Sequence, residues 1–390
     1  MDRIKQAREG FARVYGDDEN VRVYFSPGRV NLIGDHTDYN GGRVFPCALT
    51  DGTLFAVRRR GDDTLRMYSE NFAQEGITEG SLADLDALRG SGWTAYPAGS
   101  IWAVKQAGYA VDGGLDLWIS GNIPNGAGLS SSASVEVGTI TAVSDLFDLG
   151  ISSAEAAALG QKGENGFNGV ACGIMDQFAV AMGQKDHAVL LDTNTLQYAQ
   201  VPLELGDATL VIAFTNKQRK LGESKYNERR AQCEEALRRI QTRVNAASLG
   251  ALRSADLPAL EDVIADPVLF KRARHAVTEN ERVGEAAERL SAGDLAGFGA
   301  LMTASHESLK HDYEVTGIEL DTLAETAAAY PGVLGARMTG AGFGGCCVIL
   351  VRTDAAEGMI RSVGDTYREK IGYAADFFFA SAGQGACRLD

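Results

Sequence analysis

Residues whose types could do chemistry cluster in three short segments of the 390-residue chain. In the first, residues 26–42 (SPGRVNLIGDHTDYNGG), a short apolar stretch is interrupted by Arg29, Asn31, Asp35, His36 and Asp38, a density that packing does not require. Sugar hydroxyls both donate and accept, so a site that fixes a sugar ring needs carboxylates as acceptors and imidazole or guanidinium as donors. Asp35, His36 and Asp38 offer that set. The same residues also fit a polar turn whose aspartates cap backbone N–H groups. Metal binding is a third reading, although no second histidine lies nearby.

The second segment, residues 123–134 (IPNGAGLSSSAS), is a Gly-rich loop running into a helical pattern. Glycines permit close backbone approach, N–H groups at a helix start point toward phosphate, and serine hydroxyls add donors or a Mg²⁺ ligand. A Ser-capped helix explains one serine and one glycine, but less readily Gly126, Gly128 and the run Ser130, Ser131, Ser132. The P-loop pattern G-x-x-x-x-G-K-[ST] is absent, so this is a phosphate cradle of another kind. In the third segment, residues 338–350 (MTGAGFGGCCVIL), Gly340, Gly342 and Gly345 satisfy G-x-G-x-x-G. A dinucleotide fingerprint must follow a strand and open a helix. Here the β-like run CCVILV follows, so the glycines read as a tight connection that brings backbone close to a neighbouring loop or ligand.

The elements that must position these segments are legible from period and punctuation. VRVYF (21–25), residues 44–57, TLRMYS and LDLWIS alternate as strands. From Ser131, the residues Ala133, Val137, Ile140 and Phe147 recur at helical spacing, with Gly150 as a stop. Ser152 and Glu155 form a capping-box pattern for a helix that runs past Glu164 before Gly166 and Gly169 weaken it. A short helix fits residues 175–182, and longer ones fit 226–244, 276–290 and 318–330. AVLLD, TLVIAF, CCVILV and DFFFA read as further strands. Mixed elements in both halves, with Pro202 and Gly206 between them, predict two α+β domains meeting near residue 200.

Composition narrows the partners. A formal net charge of −15 disfavours nucleic acid and anionic membranes at long range. A small anion can still bind through backbone N–H groups and local cations. The charged, helix-like start lacks the apolar core of a secretory signal, no stretch approaches a membrane span, and the six cysteines lack paired C-x-x-C spacing. Cytoplasmic residence with reduced cysteines is the expectation.

Together, in this order and spacing, the segments resemble the motifs of the GHMP small-molecule kinases, in particular those acting on sugars. The signature G-R-x-N-[LI]-I-G-[ED]-H-x-D-Y is met by residues 28–39. GIMDQF (173–178), KYNERR (225–230) and RARHAVTEN (272–280) extend the likeness over most of the chain. The resemblance implies an α+β fold of two domains, 1–200 with the sugar signature and phosphate loop and 201–390 with the third motif, and an active site in the cleft between them. It implies transfer of the γ-phosphoryl group of ATP, with Mg²⁺, to the anomeric hydroxyl of α-D-galactose, by a monomer.

By the same resemblance, Asp176 is the catalytic aspartate and Arg29 the arginine paired with it. Asp35, His36, Asp38, the backbone at Gly173, and Tyr226 contact the sugar. Gly126, Gly128, Leu129, Ser130, Ser131 and Ser132 hold the ATP phosphates, Trp93 and Tyr96 border adenine, and Glu164 with Ser131 or Ser132 binds Mg²⁺. Many members of the family carry glutamate where this chain has Asp35, and the shorter carboxylate reach, about 1.5 Å, bears on sugar preference. An N-acetylgalactosamine kinase, another sugar 1-kinase, or a non-catalytic sensor of sugar and ATP on the same fold are the alternatives.

Overall fold

The alternating segments of the first third form one mixed sheet. A computed structural model describes residues 2–124, 126–217 and 222–390, with backbone alone at 222–224. Its six-stranded sheet runs in the order Cys387–Arg388, Arg22–Asn31, Pro46–Arg59, Leu115–Gly121, Thr64–Ser69, Thr78–Ser81. Only Thr64–Ser69 and Leu115–Gly121 pair in parallel among these neighbours. The helices Ala95–Gln106, Ser131–Leu146 and Ser153–Gly163 cover one face, and Tyr24, Phe55, Leu117, Ile140 and Leu159 share their core.

The second half is organised by a four-stranded antiparallel sheet, ordered Val333–Thr339, Cys346–Arg352, Ala208–Phe214, Asp376–Ala380. Successive side chains of a strand point to opposite faces, so a strand apolar on both faces must be covered twice. Cys347, Ile349 and Val351 meet the helices Gly222–Ile240, Ile318–Ala328 and Ala356–Ile371. Cys346, Val348 and Leu350 meet Val30, Leu32, Phe45, Cys47 and Leu49 from the first half. The unbroken run CCVILV is thus explained, and the two halves share an apolar core.

Near residue 200 the chain passes from the small sheet of Arg43–Val44, His187–Asp192 and Tyr198–Pro202 to the strand Ala208–Phe214. The chain nevertheless returns: Cys387 and Arg388 pair with Phe25 and Tyr24, so its last residues join the first sheet.

Local signals account for several helix ends. Ser152 caps its helix by accepting from Glu155 N–H at 3.3 Å, while the Glu155 carboxylate accepts from Tyr109 rather than closing a capping box. That helix stops at Gly163 and continues as one π-turn, Glu164–Asn168, before left-handed Gly169. Pro267–Ser291 begins nine residues before the expected 276, where Asp266 accepts from Val268 and Leu269 N–H and Pro267 occupies the first turn. The expected helix 226–244 lies four residues earlier, at Gly222–Ile240, and Met175–Met182 and the start at Ile318 match. No helix among the described residues is long and apolar enough to cross a membrane.

Leu350 is fully buried in the core shared by the halves. Leu350→Ala is expected to destabilise the fold by about 3 kcal/mol, read as a lower midpoint in denaturant or thermal unfolding. An unchanged midpoint would show that this face of the sheet is not packed as described.

Candidate functional site

The site begins at an irregularity in the strand Arg22–Asn31, whose register against Pro46–Arg59 shifts between Pro27 and Arg29. Such a bulge re-aims the side chains that follow it. Arg29 N–H then donates to the Leu129 carbonyl at 3.1 Å, which docks the first segment onto the second. The buried Arg29 guanidinium donates through Nη1 to the Gly128 carbonyl at 2.7 Å. Its Nε and Nη2 reach Asp176 Oδ1 at 2.9 and 2.7 Å.

Asp176 lies in the first turn of Met175–Met182, and its second oxygen accepts from Ser130 Oγ at 2.6 Å. Both oxygens are therefore fixed, one by a cation and one by a hydroxyl, while the side chain stays 31% exposed toward the cavity. Ser130 has a left-handed backbone (φ 61) just before the helix Ser131–Leu146. Non-glycine residues in that region store about 1–3 kcal/mol of strain, held here by the surrounding contacts.

The other residues of the first segment face the same space. Asp38 accepts from Tyr39 N–H at 3.0 Å and Met175 N–H at 3.4 Å. Burial and the negative charge of Asp176 push it up to about 6. Gly173 lies flat on this carboxylate: a Cβ there would stand 1.9 Å from Asp38 Oδ2. His36, also left-handed (φ 64), is kept neutral by burial, which lowers it to about 3. Tyr226 packs against it at 5.7 Å between ring centroids.

Asp35 is fully buried: one oxygen pairs with Arg337, and the other accepts from Gly340 N–H at 3.0 Å. The third segment is the turn of a hairpin, since Val333–Thr339 and Cys346–Arg352 pair antiparallel. Gly340 (φ 83) has a backbone that strains any side chain, and a Cβ there would sit a tight 3.0 Å from the Gly128 carbonyl. The three segments thus touch one another in space.

They enclose a cavity of about 630 Å³. Its lining includes Arg29, Asp35, His36, Asp38, Gly173, Asp176 and Tyr226. Gly126, Gly128, Ser130, Ser131, Ser132 and Glu164 complete another wall, and Gly340 to Phe343 the third. Leu129 is buried behind its loop. Trp93 and Tyr96, at the start of Ala95–Gln106, are not brought into this lining.

Glu164 sits on the π-turn with one oxygen accepting from Gln177 Nε2 at 2.7 Å and from the Cys172 thiol, and it also interacts with Ser132. Burial and the charge of Asp176 push it up to about 7. A carboxylate and a serine hydroxyl at the mouth of a phosphate-type loop form a hard-oxygen set of the kind Mg²⁺ takes alongside phosphates and water.

Several residues here were not singled out from the sequence. Arg337 clamps Asp35, and its signal was available: a lone arginine in the apolar strand Val333–Thr339 needs a buried partner. Cys172 lines the cavity beside Glu164, and Tyr39 and Tyr313 lie behind His36.

The chain is similar to known proteins over nearly its whole length. The profile described as "Galactokinase galactose-binding signature" matches residues 9–59, "GHMP kinases N terminal domain" 95–184, and "GHMP kinases C terminal" 285–369. The galactokinase of Enterococcus faecalis is 53% identical over 97% of this chain and 98% of its own length. That of Lactiplantibacillus plantarum is 53% identical over 96% of each. The crystal structure of Lactococcus lactis galactokinase complexed with galactose superposes with a TM-score of 0.97 at 50% identity, covering 99% of this chain and 100% of that one. Methanococcus jannaschii mevalonate kinase, at 20% identity and a TM-score of 0.66 over 93% of this chain and 98% of its own, shares the fold. With its motifs joined in one cavity and nearly its whole length matched, the chain belongs to the galactokinase family of GHMP kinases.

Proposed function

We propose that the chain transfers the γ-phosphoryl group of ATP to the C1 hydroxyl of α-D-galactose, giving α-D-galactose 1-phosphate and ADP. The observation that carries this reading is the Asp176 carboxylate, pinned by Arg29 and Ser130 between the 26–42 segment and the phosphate-type loop. Asp176 accepts or orients the proton of the anomeric hydroxyl, and Arg29 beside it stabilises charge developing on the attacking oxygen. His36, Asp38, the Gly173 backbone and Tyr226 hold the sugar from the side opposite the loop. Asp35 shapes that wall from its buried pair with Arg337.

The N–H groups at the start of Ser131–Leu146 and the hydroxyls of Ser130 to Ser132 receive the phosphates. Glu164 with Ser131 or Ser132 is the set that would hold Mg²⁺, which when bound neutralises phosphate charge during transfer. Trp93 and Tyr96, outside the cavity lining, flank the position proposed for adenine. Six free cysteines support residence in a reducing cytoplasm.

The expected result for Asp176→Asn is a fall in kcat of about 10³-fold with galactose affinity changed only slightly, measured by a coupled ADP-release assay and by calorimetry. A near-normal kcat would remove Asp176 from the reaction. Faster turnover of N-acetylgalactosamine than of galactose in the same assay would overturn the sugar assignment.

Asp38 also predicts a pH dependence. Above its value of about 6 the carboxylate is ionised and accepts sugar hydroxyls, whereas below it the proton removes an acceptor. The galactose Kd, measured without nucleotide, should rise as pH falls through 6, by about tenfold per unit once well below it. His36 does not titrate in that window. Asp38→Asn should bind weakly with that dependence lost, and a profile identical to that of the unmodified chain would exclude Asp38 as its source. Because a side chain at 173 collides with this carboxylate, Gly173→Ala should raise KM for galactose about tenfold or more while leaving KM for ATP unchanged. Equal changes in both would point to general damage.

A further inference from the structure

Behind the cavity, a file of polar groups runs from His36 into the second half of the chain. His36 Nδ1 lies 2.8 Å from Tyr39 Oη, Tyr39 Oη 2.7 Å from Tyr313 Oη, and Tyr313 Oη 3.1 Å from Cys233 Sγ. Tyr313 belongs to the π-turn Leu309–Tyr313 and Cys233 to Gly222–Ile240, and both are buried. His36 Nε2 is buried without a hydrogen bond, in a ring that lines the cavity. Tyr313, Tyr226 and Tyr39 surround that ring at centroid distances of 4.7, 5.7 and 5.9 Å, so it has little freedom to turn.

A neutral imidazole carries one proton, and the bond at one nitrogen decides what the other presents. Two directions close the file. If the thiol donates to Tyr313, Tyr313 to Tyr39, and Tyr39 to Nδ1, the proton sits on Nε2 and the ring offers a donor to the cavity. If every proton is reversed, Nε2 is a bare acceptor. The Asp38 and Asp176 carboxylates already supply the cavity with acceptors, so an Nε2–H adds a donor for a hydroxyl oxygen, whereas a bare Nε2 would only add another acceptor.

We infer that Tyr39 and Tyr313 are positioning residues that hold His36 in its Nε2–H tautomer, so that it donates to a hydroxyl oxygen of the bound sugar. The file crosses between the halves of the chain, so tautomer and sugar affinity depend on the second half being docked. The sugar contact rests on the proposed function, but the tautomer does not.

Two-bond ¹H–¹⁵N correlation spectra of ¹⁵N-histidine-labelled protein test the tautomer directly. With only five histidines in the chain, His36 is assigned by the signal lost in His36→Asn. The expected result is a pyrrole-like Nε2 and a pyridine-like Nδ1, with the Nε2 signal moving on addition of galactose. Tyr39→Phe should produce the other tautomer or a mixture and raise KM for galactose about tenfold, with kcat and KM for ATP within twofold. Tyr313→Phe, which leaves Tyr39 in place, should give the same change in smaller measure. A pyridine-like Nε2 in the unmodified protein would overturn the inference. So would a Tyr39→Phe protein with tautomer and galactose KM unchanged, or one in which kcat, KM for ATP and thermal midpoint fell together. If the Nε2–H tautomer is found but galactose neither shifts the signal nor turns over, the functional reading fails and the file's effect on the ring stands.

Discussion

The buried pair of Asp35 and Arg337 is the constraint on which the site's shape depends. Each side chain is essentially inaccessible to water, and each comes from a different half of the chain. Removing one partner of such a pair strands a buried charge, at a cost of about 3–5 kcal/mol. Arg337 also donates to the Asn31 carbonyl at 3.0 Å and to Ser305 Oγ at 3.2 Å, while Gly340 N–H caps the other Asp35 oxygen. Through these contacts the end of Arg22–Asn31 and the third segment are held in a single arrangement. The shared apolar core beneath them supplies adhesion without direction, and the ion pair supplies the registry.

The cavity that results is dominated by carboxylates. Asp38, Asp176 and Glu164 converge on it, with the Arg29 guanidinium in direct contact with Asp176. A fourth carboxylate, Glu136, lies fully buried behind, where Gln177 Nε2 bridges it at 2.9 Å to Glu164 at 2.7 Å. Burial and the charge of Glu164 raise Glu136 well above the usual carboxylate range, which favours its neutral form. Neutralising the deepest group lets the others act as acceptors without accumulating charge in a low-dielectric interior. The raised Asp38 and Glu164 values express the same crowding, which a cation accompanying the phosphates would relieve at the Glu164 end.

What was legible in the sequence follows from how far apart the cooperating residues lie. Met175–Met182 and the start at Ile318 were visible because their signals are local. The cap formed by Asp266 and Pro267 was equally local but was outweighed by the weaker apolar period of residues 267–275. The left-handed turn at His36 carries no glycine to mark it, and its stability comes from Tyr39 and from residues more than 270 positions away. The Asp35 to Arg337 pair spans 302 positions and has no spacing signature. Motif resemblance placed Arg29 and Asp176 together, but neither period nor composition could show that Ser130 completes the pair.

Two strained residues bracket this chemistry, Ser130 at one side of Asp176 and His36 at the other. Each holds a side chain that ordinary helical or extended backbone at that position would aim elsewhere. At Ser130 the strain is met by the 2.6 Å bond to Asp176 and by the helix that starts at Ser131. At His36 it is met by the Asn40 amide, which donates to the His36 carbonyl at 2.8 Å, and by the tyrosines around the ring. Each of these restraints is made by the chain itself. Orientation supplied by the chain's own contacts does not consume binding energy, which remains available for the transition state.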